Sequence, residues 1–167
     1  MKAGALFGQL LVVDEAVAWR EALRAENKVV VFTNGCFDLL HAGHVEYLAW
    51  ARSQGDALIV GLNEDESVRR IKGDARPVVP FAQRATVLRA LRSVDVVVGF
   101  GERTPELLLD RIRPDVHVKS DQYREDELPE RTVVQGYGGR IALAPHVARA
   151  STTDLIARIL DAYSAHR

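Results

Sequence analysis

A parallel, doubly wound α/β sheet is the fold this sequence predicts, on three observations. Short, continuously apolar runs rich in β-branched residues, such as Val29-Val30-Val31-Phe32 and Leu58-Ile59-Val60, read as strands buried on both faces. Segments with apolar residues at helical spacing separate those runs, and a helix between strands implies parallel pairing through right-handed crossovers. The chain has 167 residues, enough for one domain whose sheet is covered by helices on both sides. The expected sheet is Rossmann-like, with five strands in the order 3-2-1-4-5.

Residues 1–27 are expected to form a lead-in and residues 28–167 a single domain. Within the lead-in, Asp14 to Ala25 is an amphipathic helix with Val17, Trp19 and Leu23 facing inward and Asn27 ending it. Val29 to Phe32 is the first strand. Val45 to Gln54 follows as a helix, with Val45, Leu48, Ala49 and Arg52 at helical spacing and Gly55 as its C-cap. Ala57 to Leu62 is the second strand, Glu64 to Ile71 a short helix ending near Gly73, and Asp74 to Pro80 a loop. Phe81 to Leu91 is helical, Val94 to Val98 the third strand, and Pro105 to Ile112 a helix with proline in its first turn. Asp115 to Lys119 is the fourth strand. A polar loop from Ser120 to Glu130 leads into a helix reaching Tyr137, and Gly138-Gly139 turns the chain into a fifth strand, Arg140 to Leu143. A helix from Thr152 to about Tyr163 closes the chain. No repeat, low-complexity segment or interdomain linker interrupts this order.

Lys and Arg together number 22 against 23 Asp and Glu, with the signs interspersed. The broad basic field of a nucleic-acid binder is missing, so small polar partners are expected and nucleic acid is not. Cys36 is the only cysteine, which excludes an internal disulfide and fits a reducing compartment. No signal pattern opens the chain and no apolar run approaches the roughly 20 residues of a membrane span. A soluble, cytoplasmic protein without a membrane partner is therefore expected. The basic residues are mostly arginine; the lysines are Lys2, Lys28, Lys72 and Lys119. A lysine beside a ligand loop offers a compact charge for phosphate.

Chemistry concentrates between Thr33 and His44, where Thr33-Asn34-Gly35-Cys36-Phe37-Asp38-Leu39-Leu40-His41-Ala42-Gly43-His44 joins the first strand to a helix. Free backbone N–H groups and the helix dipole favour anions at a helix start, and two imidazoles added there point to phosphate. His41 and His44 could also be a metal pair or a purely structural one. Zinc needs further ligands and Cys36 is the only thiol, so no metal site is assigned. Gly43 permits close approach to a ligand, and Gly35 is free to take positive φ, so that Thr33, Asn34 and Gly35 can form a concave phosphate loop. Cys36 reads as a small buried filler, since no partner base is singled out for it.

Three other places complete the pattern. Lys72 and Arg76 lie on a loop after the second strand and its helix; they read either as exposed basic residues or as cations that fold over a triphosphate. Ser151 and Asp154 have the spacing of a capping box, and Thr152 and Thr153 add hydroxyls to free amides at a helix start, a second phosphate cradle. In the expected strand order, the first and fourth strands are neighbours where the order reverses, so His41 and His44 share a crevice with Lys119. Asp121, Asp126, His117 and His146 read as loop and surface residues.

Together, residues 32–44 with their His-x-Gly-His ending, Ile71 to Val78, Val118-Lys119 and Ser151-Thr152-Thr153 are similar to the cytidylyltransferase-like nucleotidyltransferases, and among them to the adenylyltransferase domain of D-glycero-β-D-manno-heptose 1-phosphate adenylyltransferases. The resemblance runs through nearly the whole chain from the lead-in helix onward. It implies transfer of AMP from ATP, with Mg²⁺ carried by the nucleotide, onto a sugar phosphate, giving ADP-heptose and pyrophosphate. It further implies that His41, His44 and Lys72 are catalytic. Nucleotide and phosphate contacts fall on Thr33, Asn34, Gly35, Phe37, Asp38, Gly43, Asn63, Arg76, Ser151, Thr152 and Thr153, and acceptor contacts on Lys119, Asp121 and Tyr123. A homodimer is implied by resemblance alone. Many relatives carry a fused sugar kinase; none is read in this chain, so a separate enzyme is expected to supply the phosphorylated sugar.

One departure bears on the acceptor. Heptose adenylyltransferases commonly follow the fourth-strand lysine with two glycines, an aspartate and a tyrosine, where this chain has Ser120-Asp121-Gln122-Tyr123. Added side chains narrow the backbone angles and the space beside a sugar. A cytidylyltransferase for glycerol phosphate or another polyol phosphate is the alternative with the same chemistry. A non-catalytic nucleotide-binding regulator is the alternative of another class, opposed by the retention of His41, His44, Lys72 and the Ser-Thr-Thr turn.

Overall fold

A computed structural model describes residues 7–122, 124–145 and 151–164. The strands are β1 (Gln9–Leu11), β2 (Val30–Gly35), β3 (Ala57–Asn63), β4 (Val96–Phe100), β5 (Val116–Ser120) and β6 (Arg140–Ala144). The helices between and after them are α1 (Val13–Ala25), α2 (Ala42–Arg52), α3 (Asp65–Lys72), α4 (Phe81–Arg89), α5 (Glu106–Ile112), α6 (Arg131–Gly136) and α7 (Thr152–Ser164), with a 3-10 turn at Glu125–Glu127.

All described ladders are parallel, and the order across the sheet is β1-β4-β3-β2-β5-β6. Alternation along the strands sorts the core into two layers. Val31, Leu58, Val60, Leu62 and Val97 pack under Leu48 and Ala51 of α2 and Ala85 and Leu88 of α4. Val30, Phe32, Ile59, Val96 and Val98 face the other way, onto Ala16 of α1, Leu108, Leu109 and Ile112 of α5, and Val134 of α6. Each fully buried large apolar side chain contributes about 2 kcal/mol of transfer free energy. Those two layers hold the carboxyl ends of β2 and β5 side by side, and between β2 and β5 the chain order reverses.

The expected five-stranded sheet is corrected to six. The added strand is β1, which pairs Gln9 to Leu11 with Val96 to Val98 at the sheet edge. Three residues are too few for a periodicity to register, and Gln9 and Leu10 are exposed. The other five strands keep the expected neighbours. The segment ahead of Lys28 is tied to the sheet twice, through β1 and through the buried Arg20 of α1, whose guanidinium reaches Asp115 at 3.3 Å.

Other boundaries shift for physical reasons. Helix α2 starts at Ala42 rather than Val45, so its inward face carries Leu48 and Ala51 with Tyr47 beside them, while Val45 and Ala49 are exposed. Its C-cap is Ser53, and Gly55 serves a close approach instead: a Cβ there would lie 2.7 Å from the Val29 carbonyl oxygen. Strand β2 continues through Gly35, and the residue at positive φ is Phe37 (φ 42°). Gly35 is needed because a Cβ on it would stand 2.9 Å from the folded-back Phe37 ring.

Candidate active site

The carboxyl ends of the central strands open into a cleft of about 640 Å³. Its floor comes from Asn34 and Gly35 at the end of β2, and one wall from His41, Gly43 and His44 at the start of α2. Lys72 closes α3 on the same side, and Lys119 and Ser120 enter from β5. Ser151, Thr152 and Thr153 at the start of α7 face the same space.

His41 is the N-cap residue of α2, with extended backbone (φ −141°, ψ 170°), and His44 lies three residues on, in the first turn. Their rings stack with centroids 3.8 Å apart, and the Phe37 ring meets His44 edge-on at 5.2 Å. The Nδ1 atom of each histidine is buried without a hydrogen-bond partner among the described residues. Burial, with His41 adding to it, pushes the His44 imidazole down to about 4. Burial also lowers His41. Near neutral pH the ligand-free pair is therefore uncharged, and it turns neutral imidazoles toward the place where a helix start attracts anions.

The Arg76 to Pro80 loop is fastened to this motif by Asp38. Its carboxylate accepts hydrogen bonds from Val78 N at 2.9 Å and Val79 N at 2.8 Å, and pairs with the Arg76 guanidinium. Burial alone would raise the Asp38 carboxyl, but those amides and Arg76 outweigh it and hold it below the usual carboxylate range. Arg84 of α4 locks the same region from beneath. Its guanidinium, fully buried, donates to Val79 O (2.8 Å), Cys36 O (2.6 Å), Asn63 O (2.9 Å) and Asp65 Oδ1 (2.7 Å). Lys72, by contrast, makes no ion pair among the described residues. Burial raises the Cys36 thiol against the opposing pull of Lys72, Arg84 and Arg76, consistent with a filler rather than a thiolate.

At the other end, Lys119 Nζ lies 2.9 Å from Glu130 Oε1, and Glu130 itself borders the cleft. His117, one turn of the pleat below, is fully buried with Nε2 at 4.0 Å from the same oxygen. Burial and then Lys119 push His117 down to about 3, so it stands neutral beneath the pair. Helix α7 is fixed to the histidine motif by Thr152, whose hydroxyl donates to Leu39 O at 3.3 Å, and is capped by Ser151, whose Oγ accepts from Asp154 N at 3.1 Å.

The expected site residues that are described fall into three groups. Asn34, Gly35, Phe37, Gly43, His41, His44, Lys72, Lys119 and Ser151 to Thr153 come together around the cleft. Asp38, Arg76 and Asn63 border it with their polar groups already engaged: the Asn63 amide donates to Ser67 Oγ at 2.9 Å and Glu102 O at 3.3 Å. Thr33 and Asp121 do not line it. Thr33 is completely buried; its Oγ1 lies 2.7 Å from Tyr47 Oη, and both hydroxyls reach Val118 O at 3.0 and 3.1 Å, a tie between β2, α2 and β5. Asp121 is exposed, with its amide bonded to Ala144 O. Tyr123 and His146 lie outside the described residues. His117, expected at the surface, is buried because β5 is an interior strand and His117 packs its ring 5.6 Å from Phe32.

Four contributors escaped the sequence reading. Arg84 and Glu130 sit on helical or turn segments, where charged residues are mostly solvated, and only the tertiary fold buries them. Tyr47 is a partly buried member of α2 whose hydroxyl meets Thr33. Arg103 borders the cleft from the loop after β4; its one sequence signal was a cation and a threonine directly ahead of Pro105.

A family model described as cytidylyltransferase-like matches residues 32–158. The bifunctional protein HldE of Syntrophotalea carbinolica is 48% identical over 160 residues, covering 92% of this chain and 33% of that protein. HldE of Geobacter sulfurreducens is 52% identical over 142 residues, covering 85% of this chain and 29% of its own length. The chain thus spans about a third of the length of the curated relatives it matches. Among solved structures, a lipopolysaccharide core biosynthesis protein from Thermoplasma volcanium superposes with a TM-score of 0.61 at 23% identity, over 74% of this chain and 99% of that one. The pantoate-β-alanine ligase of Francisella tularensis gives 0.58 at 13% identity, over 89% and 76%. At those identities the likeness shows the fold alone. No helix among the described residues is long and apolar enough to cross a membrane.

Proposed function

The chain belongs to the cytidylyltransferase-like family, and from that premise we propose that it transfers AMP from ATP to a sugar phosphate, first among them D-glycero-β-D-manno-heptose 1-phosphate, giving ADP-heptose and pyrophosphate. One observation carries the reading: the stacked His41 and His44 at the start of α2 share a cleft with Lys72, with the Ser151 to Thr153 turn and with Lys119. Imidazole, ammonium and hydroxyl groups from four separate elements converge on one volume. That is the arrangement an in-line displacement between two phosphorylated reactants requires.

In the proposed reaction an oxygen of the acceptor phosphate attacks the α-phosphorus of ATP and pyrophosphate departs, with no covalent enzyme intermediate. Asn34, Gly35, Phe37 and Gly43 bring backbone close to the phosphates. His41 and His44 donate to the triphosphate as charge builds, and Lys72 neutralises the reacting groups. Ser151, Thr152 and Thr153 hold the β- and γ-phosphates at the start of α7, and Lys119 receives the acceptor phosphate. Mg²⁺ carried with ATP would supply further neutralising charge at the phosphates. Among the described residues no group of three or more His, Cys, Asp or Glu stands together to hold a metal, and the Asp38 carboxylate is committed to its loop. That fits a metal brought by the substrate. Cys36, the one cysteine of the sequence, supports a reducing, cytoplasmic setting; a homodimer rests on family likeness.

A second reading has its own observation: Ser120, at the first position of that glycine pair, borders the cleft beside Lys119, where glycine would leave more room. It makes the protein a cytidylyltransferase for glycerol phosphate or a similar polyol phosphate. Pyrophosphate release, measured for ATP and CTP against heptose 1-phosphate and glycerol 3-phosphate, separates the two. Turnover only with CTP and glycerol phosphate rejects the heptose reading, and nucleotide binding without turnover on any acceptor rejects catalysis.

A further inference from the structure

Glu130 is a buried carboxylate that the reaction as described does not use. It lies at the acceptor end of the cleft, is 2% exposed, and has one oxygen on Lys119 and the other, Oε2, buried without a hydrogen-bond partner among the described residues. The neighbouring His117 is neutral and has no hydrogen bond to it, so Lys119 is the one cation that balances Glu130 among the described residues. A helix-and-sheet scaffold gains nothing from half-satisfying a buried carboxylate; leaving one oxygen unpaired is unfavourable by itself. An unsatisfied buried oxygen of this kind at the edge of a cleft marks a place for a ligand.

We propose that Glu130 sets acceptor specificity: it cancels the charge of Lys119 and, when an acceptor phosphate draws Lys119 away, turns its carboxylate to a hydroxyl next to that phosphate, so that the cleft selects hydroxylated phosphate monoesters over bare or hydroxyl-free phosphates. The inference rests on the reading of Lys119 as the acceptor-phosphate group. Its chemistry follows from the pair. A phosphate approaching Lys119 also approaches the Glu130 carboxylate and is repelled by it. A sugar or polyol phosphate offsets that repulsion by donating an O–H to the carboxylate, a charge-assisted bond. Methyl phosphate and inorganic phosphate have no such hydroxyl on carbon. The repulsion acts on every phosphate alike, so the hydroxyl bond alone produces the discrimination.

Calorimetric titration of the wild type and of Glu130→Gln, both saturated with a non-hydrolysable ATP analogue, tests it using heptose 1-phosphate, glucose 1-phosphate, glycerol 3-phosphate and methyl phosphate. The wild type is expected to bind at least one hydroxylated ester about tenfold or more tighter than methyl phosphate, as a charged hydrogen bond allows. In Glu130→Gln that preference is expected to shrink at least about fivefold, with methyl phosphate binding more tightly than before. A role confined to holding the fold would change all four ligands by one factor. An unchanged preference in the folded variant, or no preference in the wild type, overturns the proposal. If Glu130→Gln does not fold, Glu130→Asp retains the charge and withdraws it by one methylene; the preference should then fall, and its full retention overturns the proposal. Failure of heptose 1-phosphate alone to bind counts against the heptose assignment and leaves the comparison of the other esters decisive for Glu130.

Discussion

His41 and His44 stack ring on ring, with centroids 3.8 Å apart and planes 25° from parallel. Two imidazoles so placed resist protonation together, and burial lowers both, His44 to about 4. His117 is lowered further, to about 3. The unfolded chain binds protons on these histidines from about pH 6.5 downward, while the folded chain refuses them. Stability is thus complete above the unfolded value and is lost as pH falls toward the folded ones. The melting temperature should drop steadily between about pH 7 and pH 5. ATP should offset part of the loss, because a triphosphate beside the pair favours the protonated ring. A melting temperature flat over that interval contradicts the assignment.

Replacing His44 separates binding from catalysis. The ring stands in the first turn of α2, where helix amides already attract phosphate, so ground-state binding keeps most of its contacts. His44→Ala should lower kcat by about a hundredfold or more and change the Kd for ATP by less than about fivefold. Single-turnover kinetics together with equilibrium binding give both numbers. An unaltered kcat removes His44 from the chemistry.

Thr33 is a tie rather than a phosphate contact. Its hydroxyl lies between Tyr47 Oη and Val118 O, fully out of solvent. Thr33→Val keeps the shape and should cost about 1–2 kcal/mol in urea unfolding, with the KM for ATP within about twofold of wild type. A tenfold rise in KM at unchanged stability would return Thr33 to the phosphate site.

These residues also mark what the sequence could reveal. Strands β2 to β6 were legible because an apolar β-branched run between helical segments has few other solutions, and the His41-to-His44 spacing placed both rings at one helix start. Strand β1 was not, since three half-exposed residues carry no period. Thr33, Asp38 and Asn63 illustrate a different limit. A polar residue in a ligand motif looks the same in sequence whether it faces the ligand or holds the loop that does, and only the partners at 2.7 to 2.9 Å distinguish the two. Arg84 and Glu130 escaped because charged residues on short helices and turns are usually solvated, and their burial arises from contacts distant in sequence.

Asp38 gives the sharpest test of that distinction. Its carboxylate accepts from Val78 N and Val79 N and balances Arg76, whose side chain is 14% exposed. Asparagine offers one carbonyl oxygen in place of two and no charge, so Asp38→Asn leaves a mostly buried guanidinium uncompensated and at least one donor unpaired. Removing one partner of a buried pair costs about 3 kcal/mol or more, whereas removing both restores much of it. Asp38→Asn should therefore lower the urea midpoint and loosen the Arg76 to Pro80 loop, raising the KM for ATP about tenfold with a smaller effect on kcat. The double variant Asp38→Asn with Arg76→Met should be more stable than Asp38→Asn alone. If instead the two losses add, Asp38 and Arg76 act independently, and a direct role of Asp38 at the nucleotide becomes the better account of its place in the motif.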